Sequence, residues 1–234
     1  MENGECMSGL ELGAPMRALL PIIVALLSGP SLAAPLAGCE QLPKPSVSVK
    51  LLESPVSFDL ASSYRELTSR VGDKARPGWQ VLGLTRANAI ARFSLQMPSL
   101  SNDQYECASP QITLTLAMQP LVVHVGKEFP KGSCAHKEIL EHEMRHVKAY
   151  QAHLEKLQKI FEEALTRRYA TATAWRGATG SLYERLSGEL NEHWTTAITR
   201  EFDRVEGPQR LIDTPEEYAR IAAACGGEVQ TMMK

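Results

Sequence analysis

The chain has 234 residues, 44% of them hydrophobic and 22% charged, with a formal net charge of −2. That length supports one domain with a well-buried core, and the composition is that of an ordinary globular protein rather than a disordered or collagen-like one. A charge so near neutrality gives no electrostatic footprint for nucleic acid or an anionic membrane surface, and no repeat of solenoid period is present.

The first 40 residues differ from the rest. Arg17 precedes an apolar run over residues 18–27, and small residues follow, which is the layout of a secretory signal peptide whose working start is Met16. The run is too short for an ordinary membrane span. Two processing points are available. Ser31-Leu32-Ala33 offers a small-x-small cleavage site, whereas Leu36-Ala37-Gly38-Cys39 resembles a bacterial lipobox whose cysteine carries a lipid. Ordinary cleavage removes Cys6 and leaves Cys39, Cys107, Cys134 and Cys225, an even set that suits two disulfides in an oxidising compartment. The expectation is a leader over 1–38 and a single domain over 39–234, in a periplasmic or secreted protein. The alternative is a lipoprotein anchored through Cys39.

Beyond a proline-containing linker at 42–46, residues 47–53 alternate enough for a strand, and the run SSYRELTSRV suits a short helix. The stretch KARPGWQVLGLT, with Pro77, Gly78 and Gly83, reads as a loop or broken strand. Alternating segments at 89–97, 111–118 and 121–125, the last two separated by Gln119-Pro120, predict a small antiparallel sheet.

The pattern then changes. Residues 135–168 contain neither proline nor glycine, and Ile139, Leu140, Val147, Leu154, Leu157 and Phe161 recur at helical spacing behind a capping Ser133. After a break at ATATAWRGATG, a second helix is predicted over 181–206, with Leu182, Leu186, Leu190, Trp194, Ile198, Phe202 and Val205 on one stripe and Gly207-Pro208 as its stop. Asp213-Thr214-Pro215-Glu216-Glu217 opens a third helix, with a cap, a proline in the first turn and acids at the positive end of the helix dipole; it ends near Cys225-Gly226-Gly227. The predicted class is α+β: a small antiparallel sheet, a long helical hairpin, and a C-terminal helix.

The first long helix carries His142-Glu143-Met144-Arg145-His146. Residues four apart leave the same face of a helix, so the two imidazoles can share one Zn2+, which takes ring nitrogens at about 2.0–2.1 Å. Glu143 can then accept a proton from a water on the ion as that water attacks a carbonyl. The run at 121–125 is a candidate edge strand for holding an extended peptide.

Through these five residues the chain resembles the zincin metalloproteases. With its leader, the sheet-then-helix order, ILEHEMRHVKAY and the late DTPEEY, it is also similar to a family of small bacterial exported proteins known as predicted secreted zinc-dependent proteases, of otherwise unknown function. The resemblance implies zinc on His142 and His146, Glu143 as general base, and hydrolysis of a peptide or protein substrate. The competing class is a non-catalytic exported envelope protein with a structural or metal-binding hairpin.

The third ligand departs from familiar patterns. A third histidine six residues beyond the second is absent, since Ala152 stands there, and His153 lies about 10 Å along the helix axis from His146. Glu192, in a superficially thermolysin-like Asn-Glu pair, falls opposite the apolar stripe. A hairpin centred near Trp175 places residues 200–204 across from His146, which favours Glu201, with Glu206 second. Around the motif, Glu138 and Arg145 read first as helix-surface charges. His124, His136 and His193 carry no motif, and the tryptophans read as packing residues. Disulfides Cys107–Cys134 and Cys39–Cys225 are the expected pairing.

Overall fold

The computed structural model describes residues 36–72 and 78–233. Residues 1–35 of the expected 1–38 leader lie outside the described residues, and Leu36–Lys234 forms one unit. The α+β class holds, with both helices and strands in one unit.

The main sheet is built on one long strand, β6 (Gln111–Val125). The two runs on either side of Gln119-Pro120 are a single strand that continues through a cis peptide bond. On one edge of β6 lie β1 (Ser46–Leu51) and β2 (Val56–Asp59), end to end and both parallel to it; on the other edge β3 (Gly83–Gln96) runs antiparallel, with a bulge between Ala87 and Ala89. The main sheet is therefore mixed, where a purely antiparallel one is expected from the sequence. The small antiparallel sheet is separate, formed by β4 (Ser99–Ser101), β5 (Tyr105–Ala108) and β7 (Trp175–Ala178). Because β6 is paired on both edges, it has no edge to offer a peptide. Among the described residues, the unpaired edges belong to β1, β2 and β3 in the main sheet.

Between β2 and β3, α1 (Tyr64–Val71) opens with a complete capping box: Glu66 N donates to Ser63 Oγ at 3.2 Å, and Ser63 N donates to Glu66 Oε2 at 2.6 Å.

The uninterrupted helical pattern gives α2 (Cys134–Tyr169), 36 residues capped by Ser133, whose Oγ accepts from His136 N at 3.1 Å. Its apolar stripe covers the sheet in two stretches. Leu154, Leu157, Phe161 and Leu165 pack with Ile112, Leu114 and Leu116 of β6, while Ile139 and Val147 pack with Leu121, Val123 and Val125. Each such side chain, taken fully from water, contributes about 1.5–3 kcal/mol.

The second long run is a helix in three parts: α3 (Ser181–Gly188), a π-helical turn over Glu189–Trp194, and α4 (Thr195–Asp203). The spacing of its stripe explains the turn. Apolar residues recur every fourth position from Leu182 to Phe202, and on a straight α-helix each step of four drifts by about 40°. The wider π turn takes back much of that drift and keeps Leu182, Leu186, Leu190, Ile198 and Phe202 buried on one side.

Gly207-Pro208 does not stop the chain. Both lie in the first turn of α5 (Glu206–Ile212), where a missing N–H costs nothing. Next comes α6 (Pro215–Ala223), capped by Thr214, whose Oγ1 accepts from Glu217 N at 3.2 Å. The positive φ of Cys225, Gly226 and Gly227 turns the chain into α7 (Glu228–Met232).

The disulfides are Cys39–Cys107 and Cys134–Cys225, not the expected pairing. The parallel register of β1 on β6, Ser46 opposite Gln111, brings the segment before β1 beside the segment before β6, and so Cys39 to Cys107. In the same way α6 lies along the first turns of α2, where Arg220 meets Glu138 at 2.6 Å, and the residues after α6 reach Cys134.

Candidate metal centre

His142 and His146 occupy one face of α2 and point towards the turn between α5 and α6. There they meet Asp213. The distances are 3.1 Å from His142 Nε2 to Asp213 Oδ1, 3.2 Å from His146 Nε2 to the same oxygen, and 3.2 Å between the two Nε2 atoms. Three donor atoms thus form a nearly equilateral triangle. A tetrahedral ion with bonds of about 2.0–2.1 Å requires its ligand atoms about 3.3 Å apart. The triangle meets that requirement to within about 0.2 Å, and two imidazoles with one carboxylate are a donor set that zinc accepts.

The same segment orients both rings. His146 Nδ1 is hydrogen-bonded to Gln209 Oε1, and the Gln209 amide is held the right way round because its Nε2 donates to the His146 carbonyl at 3.3 Å. An Nδ1–H directed at Gln209 leaves the Nε2 lone pair facing the triangle. His142 Nδ1 lies 3.4 Å from Glu217 Oε1 and 3.0 Å from Arg145 Nη2, and Arg145 is itself paired with Glu217. Glu217 also binds Arg220 at 2.9 Å, and Arg220 binds Glu138. Arg145 and Glu138 are therefore members of an ion-pair chain that leads to His142, rather than isolated surface charges.

Electrostatics follow from this arrangement. Burial pushes the Asp213 carboxyl up, but the hydrogen bonds and charges of the two histidines outweigh it and hold the group well below the usual carboxylate range. Burial pulls His146 down, yet Asp213 and Glu143 reverse this, and its pKa lies above the ordinary histidine value. Arg220, and then Arg145, bring Glu217 down to about 2.

Glu143 is 4% exposed and faces β3. The Thr85 hydroxyl lies 2.7 Å from its Oε2 and 3.1 Å from its backbone oxygen. The carboxylate has room only because residue 83 is glycine. A Cβ there would stand 2.6 Å from Oε1 and 2.7 Å from Cγ. Burial raises the Glu143 pKa, while the charges of His146 and His142 and the Thr85 hydroxyl pull it back. A cavity of about 160 Å3 opens here, bounded by Gly83, Leu84 and Thr85 on one side and by His146, Gln209 and Asp213 on the other.

The structure brings His142, Glu143 and His146 together as the motif implies, but the carboxylate that joins them is Asp213 and not Glu201. Glu201 is held elsewhere: its carbonyl accepts from His153 Nε2 at 2.8 Å, and its carboxylate pairs with Arg204 at 3.1 Å. Glu192, in the π turn, and Glu206, at the start of α5, are exposed. Of the remaining histidines, His124 pairs with Asp59 at 3.1 Å and His136 Nδ1 lies 3.2 Å from the Phe129 carbonyl. Trp175 and Trp194 pack around Tyr169, while Trp79 stands edge-on to Tyr218 beside the site. Cys134, Cys225 and Glu228 also lie close together, but the two sulfurs are bonded to each other. Gln209, Asp213, Glu217, Thr85 and Gly83 are the contributors that sequence reasoning misses. The available signal was Asp213 itself, an acid placed one residue ahead of the Thr214 cap, where it is not needed for capping.

No protein-family model, no curated protein and no solved structure matches this chain.

Proposed function

We propose that this protein is an exported zinc-dependent peptidase, with His142, His146 and Asp213 as the metal ligands and Glu143 as the general base. The observation that carries the reading is the triangle of donor atoms at 3.1, 3.2 and 3.2 Å with a buried carboxylate of the intervening residue beside it. A zinc ion held there would polarise a scissile carbonyl and lower the pKa of a water molecule.

The chain's own groups account for the rest. Glu143 receives the proton and later returns it to the leaving amine. Thr85, donating to Oε2, fixes the carboxylate and leaves Oε1 as the proton-accepting atom. Burial raises the pKa of Glu143 above the usual carboxylate value, the direction that makes it a stronger base. Gln209 and Glu217 hold the imidazoles in the orientation that presents Nε2 to the ion. The unpaired edge of β3 at Gly83–Thr85 borders the cavity and suits an extended peptide bound by backbone hydrogen bonds, the role the sequence assigned to 121–125. Two disulfides fit an oxidising compartment, and a sulfur already spent on Cys107 favours a soluble exported form over a lipid anchor at Cys39.

The test is metal analysis of purified protein together with Glu143→Gln on a broad peptide library. The expected result is one zinc per chain in both proteins and a loss of turnover of at least 100-fold in the variant, within the range a general base contributes. Undiminished cleavage by Glu143→Gln would refute the assignment of the base.

A further inference from the structure

The cavity beside the donor triangle is also lined by two tyrosines, Tyr150 and Tyr218. Tyr218 stands on the first turn of α6, just beyond Asp213, with its N–H bonded to the Thr214 carbonyl at 3.1 Å. Its ring is fixed on two sides, by Trp79 with centroids 4.5 Å apart and by His142 at 6.0 Å. Its hydroxyl lies 3.5 Å from Asp213 Oδ1, the oxygen that completes the triangle. That is longer than the usual O–H···O range of about 2.5–3.0 Å, so Asp213 loses little when the hydroxyl turns to a nearer acceptor. Other donors around the site are committed. Thr85 serves Glu143, and the Gln209 amide serves the His146 carbonyl. Arg145 is paired with Glu217. Tyr150 faces the charges of Glu206 and Glu143, which oppose a further negative charge beside it.

From this placement we infer that Tyr218 is a second catalytic residue: its hydroxyl donates a hydrogen bond to the oxygen of the scissile carbonyl as that oxygen becomes negative. The inference rests on the peptidase reading of the site and adds to it the side chain that holds the developing charge. As the water oxygen bonds to the carbonyl carbon, the C=O π pair moves onto the carbonyl oxygen, while Glu143 takes the water's proton. Tyr218 keeps its own proton and shares it with the new oxyanion. When the C–N bond breaks, the pair returns to the carbonyl and Glu143 gives its proton to the amine. A donor held in place beforehand, here by Trp79 and His142, needs no reorganisation at that moment.

Tyr218→Phe removes the hydroxyl and keeps the ring against Trp79 and His142. On a peptide that the wild type cleaves, at saturating zinc, kcat is expected to fall about 100-fold with KM unchanged, the pattern of a contact made only in the transition state. Zinc affinity, read by competition with a chelator dye, is expected to match the wild type. A phosphinic analogue of the same peptide, tetrahedral and anionic where the substrate reacts, should bind the zinc-loaded variant about 10- to 100-fold more weakly, the worth of one hydrogen bond to a charged group. Wild-type kcat in Tyr218→Phe, or equal binding of the phosphinic peptide by both proteins, would overturn the assignment of Tyr218 and leave the metal centre and Glu143 standing. A loss of zinc affinity in the variant would also overturn it, because Tyr218 would then be a support for Asp213. A zinc-loaded wild type that cleaves no peptide of the library would overturn both this inference and the peptidase reading.

Discussion

Gly83→Ala isolates the role of Glu143 without removing any catalytic or ligand atom. Gly83 does not need a glycine backbone conformation, so alanine is excluded only by space. A Cβ at 2.6 Å from Glu143 Oε1, 2.7 Å from Cγ and 2.9 Å from Cδ lies well inside the 3.4–4 Å range of ordinary contact. Three atoms of one side chain are struck together, so a rotation of the carboxylate does not relieve the overlap, and the whole side chain must shift by about 0.5–1 Å. Such a shift also breaks the 2.7 Å hydrogen bond from Thr85. Misplacing a catalytic group by about 1 Å costs on the order of 100-fold in rate. Overpacking costs about 1–3 kcal/mol, partly offset by the gain of about 0.4–1 kcal/mol from replacing glycine in the unfolded chain, so the expected net destabilisation is about 1–2 kcal/mol. The assay is kcat/KM on a cleaved peptide, with zinc content and a urea denaturation curve on the same preparation. The expected outcome is full zinc occupancy, a modest loss of stability and a fall of about 100-fold in kcat/KM. Full turnover in Gly83→Ala with Glu143 displaced would show that its position does not matter, and would refute the reasoning.

Other consequences follow from the same geometry. The raised pKa of His146 means that a proton competes with the ion at Nε2. Zinc affinity is therefore expected to fall about tenfold per unit of pH below that pKa and to level off above it, as read by competition with a chelator dye from pH 5 to 9. In the metal-free protein the same shift has the opposite sense: protonated His146 stabilises the fold below the unfolded value of 6.5, and that contribution disappears as pH rises through the raised folded value. A second expectation concerns Cys134–Cys225, which closes 91 residues of chain and ties the end of α6 to the start of α2. The double variant Cys134→Ser/Cys225→Ser should lose about 2–5 kcal/mol of stability. It should also bind zinc more weakly, because α6 begins two residues after Asp213; zinc affinity equal to the wild type would separate the disulfide from the metal centre.

The sequence made the motif helix legible because its signal is local. A 34-residue run without glycine or proline, capped by serine, can hardly be anything else, and two histidines four apart on it share a face. The stripe from Leu182 to Val205 and the cap before Pro215 are local in the same sense, and all three survive. What failed was long-range register. Placing the hairpin centre near Trp175 set Glu201 beside His146, but Glu201 lies beside His153, and the residue that meets His146 is Gln209. Reading Gly207-Pro208 as a stop closed off the segment that supplies it, although proline in a first turn is compatible with a new helix. Cysteine pairing failed for a related reason: the parallel pairing of β1 with β6 brings Cys39 to Cys107, and no local pattern announces a parallel register. Gly83 and Thr85 were invisible because their importance lies in what Glu143 touches across the α2–β3 interface.

The central claim is that two imidazoles and Asp213 form one zinc site. Zinc titration of the wild type, Asp213→Ala and Glu201→Ala tests it most directly. The account predicts one zinc per chain in the wild type, unchanged affinity in Glu201→Ala, and in Asp213→Ala a loss greater than the 10–100-fold that removing an outer partner typically causes. Full zinc affinity in Asp213→Ala, or a wild type that binds no zinc, would contradict it.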